Sequence, residues 1–193
     1  MEIGVTKSVQ ERLKTTAIEQ VAGALPVFCW DTHLVKVKNR NVLLVVNSSN
    51  RYTIAMTDIE PRNWNHYKLY IGRIIQLAMQ EMGYSPKQIE QYFEMAGEIT
   101  ITKTHGKKSV GGINRMVTRM KYYSKKFQKD TKYQWELSDY LNRDICQPEG
   151  FDAYGYPKEF FKLDMEKIGI LPKRKPGKII KFDLAKVKNG EII

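Results

Sequence analysis

The sequence predicts an α+β protein in which a mainly antiparallel sheet of four or five strands is covered by helices and followed by a basic C-terminal extension. Three observations support this prediction. Apolar residues alternate with a period of two between Trp30 and Thr57, and they recur every three or four residues between Pro61 and Ala96. Positive charge accumulates after Thr102. These patterns are typical of strands, of amphipathic helices and of a surface for an acidic partner.

The strand prediction depends on five short runs. Apolar and basic residues alternate over residues 34–38, residues 42–46 are apolar throughout, and large apolar residues occupy every second position of residues 52–56. Asparagine-containing turns separate these runs, which predicts a three-stranded antiparallel meander with the second run at its centre. Residues 2–5 and 99–102 add a short strand each.

The helix prediction is clearest over residues 61–82, where the apolar residues repeat with the helical period. Ser85, Pro86 and Gln88 then provide an N-cap, a first-turn proline and the partner of a capping box, while Gly97 is placed to end that second helix. Further helices are predicted after a basic loop at residues 103–109, at residues 133–141 and at residues 158–168.

Size and composition predict a folded core domain at residues 1–129 and a basic extension or small subdomain at residues 130–193. The chain has 193 residues, of which 42% are hydrophobic and 27% charged, a balance typical of folded proteins. Cys29 and Cys146 are the only cysteines, which argues against a disulfide framework. We find no signal peptide and no apolar run of membrane-spanning length, so we expect a cytoplasmic protein without a membrane partner.

The net charge of +11 is unevenly distributed along the chain. Residues 1–102 contain 11 Lys and Arg against 10 Asp and Glu, whereas residues 103–193 contain 21 against 11. Such asymmetry indicates an acidic partner, with DNA or RNA first among the candidates. A basic surface that serves only solvation is the alternative.

The sequence between strand and helix at residues 98–123 predicts an anion-binding turn. A nucleotide-binding phosphate loop is excluded at Gly106-Lys107-Lys108-Ser109, because Ile101 stands where that motif requires its first glycine. A less specific site remains, in which cations surround the unpaired amides at a helix start and Ser109 caps that helix. Lys103, His105, Lys107 and Lys108 supply the cations, and Gly111 and Gly112 allow close approach of a phosphate, although the same glycines could instead relieve helix packing.

Further cations and aromatic rings extend this basic region. Arg115 and Arg119 lie on the predicted helix, and Lys173, Arg174 and Lys175 form either a solvated linker or a phosphate-binding arm. Cations and rings also alternate over residues 119–135, a combination that suits phosphates and bases. Among these rings we expect Tyr123 and Trp135 to pack inside the protein.

No catalytic motif and no cofactor motif is found. His33, His66 and His105 are scattered without the cysteine or carboxylate spacing of a metal motif, and no serine or cysteine nucleophile pattern is present. We therefore expect neither a metal nor a cofactor, and the sequence favours a protein without enzymatic activity. An enzyme acting on a phosphorylated substrate through His105 and Lys103 is a third alternative.

Three segments resemble a family of small prokaryotic and phage-borne proteins known as a domain of unknown function. The segments are TKSVQERLK, NRNVLLVVNSSNRYTIAM and IEQYFEMAGEITITKTHGKKSVGGIN. The resemblance covers about residues 1–125 and is most specific at residues 89–114. It implies an α+β fold, a prokaryotic host cell and residence on mobile elements, and it implies no activity and no catalytic residues.

Together these observations predict a non-enzymatic nucleic-acid-associated protein of a phage or mobile element. It would bind the phosphate backbone of DNA or RNA through the basic strand-loop-helix face. The alternative is an anti-CRISPR-like inhibitor of a host defence nuclease, which would bind a protein or a ribonucleoprotein such as a CRISPR effector.

Overall fold

The computed structural model describes residues 1–15, 18, 23–123 and 127–173. Five strands form one sheet in the order β4-β3-β2-β1-β5. Their bounds are β1 Glu2–Val5, β2 Cys29–Val37, β3 Arg40–Asn47, β4 Thr53–Thr57 and β5 Thr100–Thr102.

The sheet is mixed and mostly antiparallel. β2, β3 and β4 form the predicted antiparallel meander, with eight residue pairs between β2 and β3 and five between β3 and β4. β1 lies between β2 and β5 and runs parallel to both, with four and three residue pairs. Because the parallel connections pass through helices, strands distant in sequence become neighbours at this end of the sheet.

Seven α-helices surround the sheet in the described part of the chain. They are α1 Lys7–Leu13, α2 Pro61–Asn65, α3 Tyr67–Glu81, α4 Pro86–Ala96, α5 Lys107–Lys121, α6 Trp135–Asn142 and α7 Pro157–Lys167. None of these described helices has both the length and the apolar character needed to cross a bilayer.

Helices cover both faces of the sheet, because strand side chains alternate between the faces and both sets are apolar over much of the sheet. Ile3, Trp30 and Leu43 point to the face covered by α3, α4 and α7. Val42, Leu44 and Val46 point to the opposite face, which α5 and α6 cover with residues such as Ile113, Met116, Leu137 and Leu141. The result is a three-layer arrangement with a hydrophobic core on each side of the sheet.

Most predicted elements are confirmed, and two details are wrong. Ser85 and Gln88 form the complete capping box of α4, and Gly97 follows that helix with a φ of 65°. The single helix predicted over residues 61–82 is two helices, because His66 leaves the helical region with a φ of −117° and a ψ of 43°. Tyr123 is buried as predicted, whereas 52% of Trp135 is exposed.

Residues beyond 129 contribute to both cores. Leu137 joins the cluster under α5, and Phe161 joins the cluster on the other face. Residues 174–193, the last part of the predicted basic extension at residues 130–193, lie outside the described residues. The division after residue 129 stays a prediction.

Candidate functional site

The predicted strand-loop-helix at residues 98–123 is confirmed. β5 ends at Thr102 and α5 begins at Lys107, with Gly106 as its N-cap at a φ of 95°. A side chain at this φ would be strained, so glycine is the residue that allows this turn. The first turn of α5 contains no acidic residue that would neutralise the helix dipole.

Three of the predicted anion-binding cations lie on the surface of this turn. Lys103, Lys107 and Lys108 are exposed. Among the described ion pairs, none involves any of these three ammonium groups, whose charge is therefore directed to solvent.

His105 lies beneath this surface, and its side chain is only 8% exposed. Its Nδ1 lies 2.7 Å from Asp31 Oδ1, and its Nε2 lies 3.1 Å from Glu2 Oε2. The His105 backbone N–H also donates to both Asp31 oxygens, at 3.2 and 3.3 Å. The imidazole is thus held between two carboxylates. The sequence predicted that His105 is one of the anion-binding cations of the loop, but its ring does not face solvent.

The predicted cap by Ser109 is wrong. Its hydroxyl is buried and donates to Asp31 Oδ2, and the capping position belongs to Gly106. The same carboxylate therefore binds both the loop and the first turn of α5, which positions this helix over β2.

Strand register explains why the buried carboxylates meet. Glu2 pairs with Cys29 and Gly4 pairs with Asp31 in the parallel β1–β2 ladder, so all four positions face α5. Asp31 is fully buried and Glu2 is 2% exposed. Gly4 leaves the necessary room, because a Cβ at this position would lie 1.9 Å from Asp31 Oδ1.

Asp31 and Cys29 raise the pKa of His105. Burial alone disfavours the imidazolium, but hydrogen bonds to Asp31 and Cys29 outweigh this cost and raise the pKa of His105 to about 10. The raised pKa favours the protonated ring, whose two nitrogens can both donate. A neutral, proton-accepting His105, which general-base catalysis requires, is disfavoured in this state.

Cys29 completes the buried cluster and connects it to a cleft. Its Sγ lies 3.6 Å from the carbonyl oxygen of Ala24 and 3.5 Å from that of Leu25, and it donates to them as a thiol. A cavity of about 350 Å³ opens beside Cys29 and His105. Its other described lining residues are Ala24, Pro26, Ser48, Thr104, Gly106 and Glu149.

Arg115 and Arg119 differ from the three lysines, because both form an ion pair with a carboxylate. Arg115 Nε lies 2.5 Å and Arg119 Nη1 lies 2.9 Å from the carboxylate of Asp144, which is 5% exposed. Their hydrogen bonds connect α5 to the turn after α6. The one carboxylate balances one of the two positive charges, and the Arg115 side chain is still 53% exposed.

The remaining predicted site residues either lie apart from this turn or lie outside the described residues. Lys173 is exposed two residues after Leu171, which packs on the face of the sheet opposite α5. Arg174 and Lys175 lie outside the described residues. Gly111 is exposed with open space around its Cα, whereas Gly112 lies against Arg51, so only Gly112 relieves packing.

Glu2, Cys29 and Asp31 were absent from the predicted site. A signal existed, because the acidic Glu2 lies in a predicted strand, and Cys29 and Asp31 are two apart, as residues on one face of a strand are. What the sequence lacked was the parallel pairing of β1 with β2, which brings these strands together.

Comparison with known proteins identifies the family of this chain and assigns no activity to it. No curated protein and no solved structure matches the chain. A family model described as a domain of unknown function, DUF6933, matches residues 2–160, which include the whole β-sheet, α5 and the buried cluster. The chain therefore belongs to the DUF6933 family.

Proposed function

We propose that this protein binds the phosphate backbone of DNA or RNA through Lys103, Lys107 and Lys108, which we call the lysine turn. The observation that carries the proposal is that three exposed lysines lie in the loop before one helix and in its first turn, without a carboxylate partner among the described ion pairs. Helix dipole and side-chain charge therefore act in the same direction on an anion.

The buried cluster supports the lysine turn mechanically. Asp31 binds the His105 backbone N–H and the Ser109 hydroxyl, so the loop is fixed on both sides of Lys107 and Lys108. A fixed loop loses less conformational entropy when it binds an anion than a flexible one. Arg115 and Arg119 are not part of this surface in the proposal, because Asp144 occupies them.

A salt titration with a triple variant tests the proposal. We expect fluorescence anisotropy to show binding of single- or double-stranded DNA or RNA that weakens steeply as salt rises. In Lys103→Ala/Lys107→Ala/Lys108→Ala, the plot of log binding constant against log salt concentration should have a slope that is less negative by about 2 to 3. Each phosphate contact that is lost removes about 0.9 from the magnitude of the slope.

The matched control is Lys87→Ala/Lys158→Ala/Lys162→Ala. It removes the same charge from exposed lysines on α4 and α7, which lie on the other face of the sheet. Equal losses in the two triple variants would show that only net charge matters. Absence of binding to all four probes at low salt would exclude the proposal.

We further propose that the protein acts in the cytoplasm of a prokaryotic cell and is carried by a phage or mobile element. The inhibitor alternative makes a different prediction for the same lysine turn. It requires the chain to capture a defence protein or ribonucleoprotein when no free nucleic acid is present, which a pull-down against such complexes measures.

A further inference from the structure

We propose that Glu2, Cys29 and His105 form a binding site for a zinc-class divalent cation, which we call the Glu-Cys-His site. This inference goes beyond nucleic-acid binding and concerns residues under the lysine turn. One carboxylate oxygen, the Cys29 Sγ and one imidazole nitrogen lie within 4.8 Å of one another. Among the described residues this is the one group of His, Cys, Asp and Glu side chains with such spacing.

The three donors are the types that zinc binds in proteins. Zinc takes thiolate sulfur at about 2.3 Å and imidazole nitrogen or carboxylate oxygen at about 2.0–2.2 Å, usually in a tetrahedron. A nitrogen and an oxygen ligand are then about 3.3–3.5 Å apart by this geometry. His105 Nε2 and Glu2 Oε2 lie 3.1 Å apart, so a cation between them needs only a small separation of the two groups.

Asp31 supplies the hydrogen bond that metal-binding histidines require on their second nitrogen. It accepts from His105 Nδ1 at 2.7 Å, which orients the ring with Nε2 toward Glu2. This carboxylate–histidine arrangement fixes the tautomer and raises the basicity of the ligating nitrogen. Asp31 is itself held by the Ser109 hydroxyl and the His105 N–H, so the orientation is determined before a metal arrives.

The cleft beside Cys29 and His105 leaves one side of the Glu-Cys-His site open. Three protein ligands plus an open position are typical of zinc sites that hold a water or a substrate, whereas purely structural sites have four protein ligands. The cavity of about 350 Å³ has room for such a fourth ligand. Binding would release the Nε2 proton of His105 and the thiol proton of Cys29 to solvent.

Titration of the metal-stripped 193-residue chain tests the site. We expect one equivalent of Zn²⁺ to bind in calorimetry, and one equivalent of Co²⁺ to produce a thiolate-to-metal charge-transfer band. Cys29→Ser should abolish this band, and Asp31→Asn should weaken Zn²⁺ binding by about 10- to 100-fold. Cys146→Ser is the matched control, because it removes the other buried cysteine and should leave band and affinity unchanged.

X-ray absorption at the zinc edge of the loaded wild-type chain provides a test that requires no variant to fold. One sulfur scatterer is expected among the ligands. Failure of the wild type to bind a stoichiometric metal, a zinc shell without sulfur, or an unchanged Co²⁺ band in a folded Cys29→Ser variant would each overturn the proposal.

Discussion

At the scale of single residues, Gly4 decides whether the buried cluster can exist. Its missing side chain provides the space that the Asp31 carboxylate occupies, and the Cα of Thr104 lies only 3.0 Å from where a Cβ would be. Glycine normally weakens a strand, so its presence between Glu2 and Val5 has a packing reason. A Cβ at this position would therefore meet both a buried carboxylate and the backbone of the loop.

Gly4→Ala should therefore lower the free energy of unfolding by about 1–3 kcal/mol through steric strain. Gly111→Ala is the matched control, because Gly111 lies in α5 with open space around it and alanine favours helices by about 0.5–1 kcal/mol. Urea denaturation measures both changes. A Gly4→Ala variant as stable as the wild type would contradict the packing described here.

At the scale of elements, Asp144 joins α5 to the turn after α6. It accepts hydrogen bonds from Arg115 and Arg119, while Arg119 also lies over the ring of Tyr140 at 5.0 Å. The hydrogen bond with Asp144 raises the pKa of Arg115, which keeps that guanidinium charged. These polar contacts lie at the margin of the core that α5 and α6 share, so they add orientation to the apolar packing.

Asp144→Ala should lower the free energy of unfolding by about 1–3 kcal/mol, because two guanidinium groups lose a charged acceptor. Asp152→Ala is the control, since Asp152 is exposed on a loop and its replacement should change stability by less than about 0.5 kcal/mol. Chemical denaturation monitored by circular dichroism measures the difference. Equal stability of the two variants would mean that the Asp144 contacts contribute nothing.

At the scale of the whole molecule, Phe161 connects α7 to the rest of the fold. Its ring lies 6.0 Å from that of Trp30, 5.5 Å from that of Tyr52, 5.9 Å from that of Tyr84 and 6.4 Å from that of Tyr92. These partners belong to β2, the β3–β4 turn, the α3–α4 connection and α4. Asp164, on the same helix, accepts a 2.9 Å hydrogen bond from Asn50.

Phe161→Ala should cost about 3–5 kcal/mol, because it leaves a cavity among these rings. Tyr154→Ala is the control, since Tyr154 is 76% exposed and its removal opens no cavity.

We expect tryptophan fluorescence and far-ultraviolet circular dichroism to give coincident unfolding transitions for the wild type. Separate transitions for α7 and the sheet would contradict a shared core and would favour the predicted division after residue 129.

The sequence by itself determined the elements whose signals lie within a few residues of each other. The capping box of Ser85 and Gln88, the Gly97 cap and the apolar run of β3 all belong to this class. The break in the helix at His66 was not predicted, because the apolar residues keep the helical period on both sides of it. The exposure of Trp135 was not predicted either, because an aromatic ring near cations can be buried or face solvent.

Only the tertiary structure decided which side chains meet around the basic loop and helix at residues 98–123. The strand order of the sheet places β1 between β2 and β5, and this brings Glu2, Asp31 and His105 together although they are far apart in sequence. The same packing gives Arg115 and Arg119 a partner in Asp144 and leaves the lysine turn exposed. Charge and spacing along the chain specify which groups are available, but long-range strand pairing selects which of them meet, because side-chain contacts depend on register rather than on sequence distance.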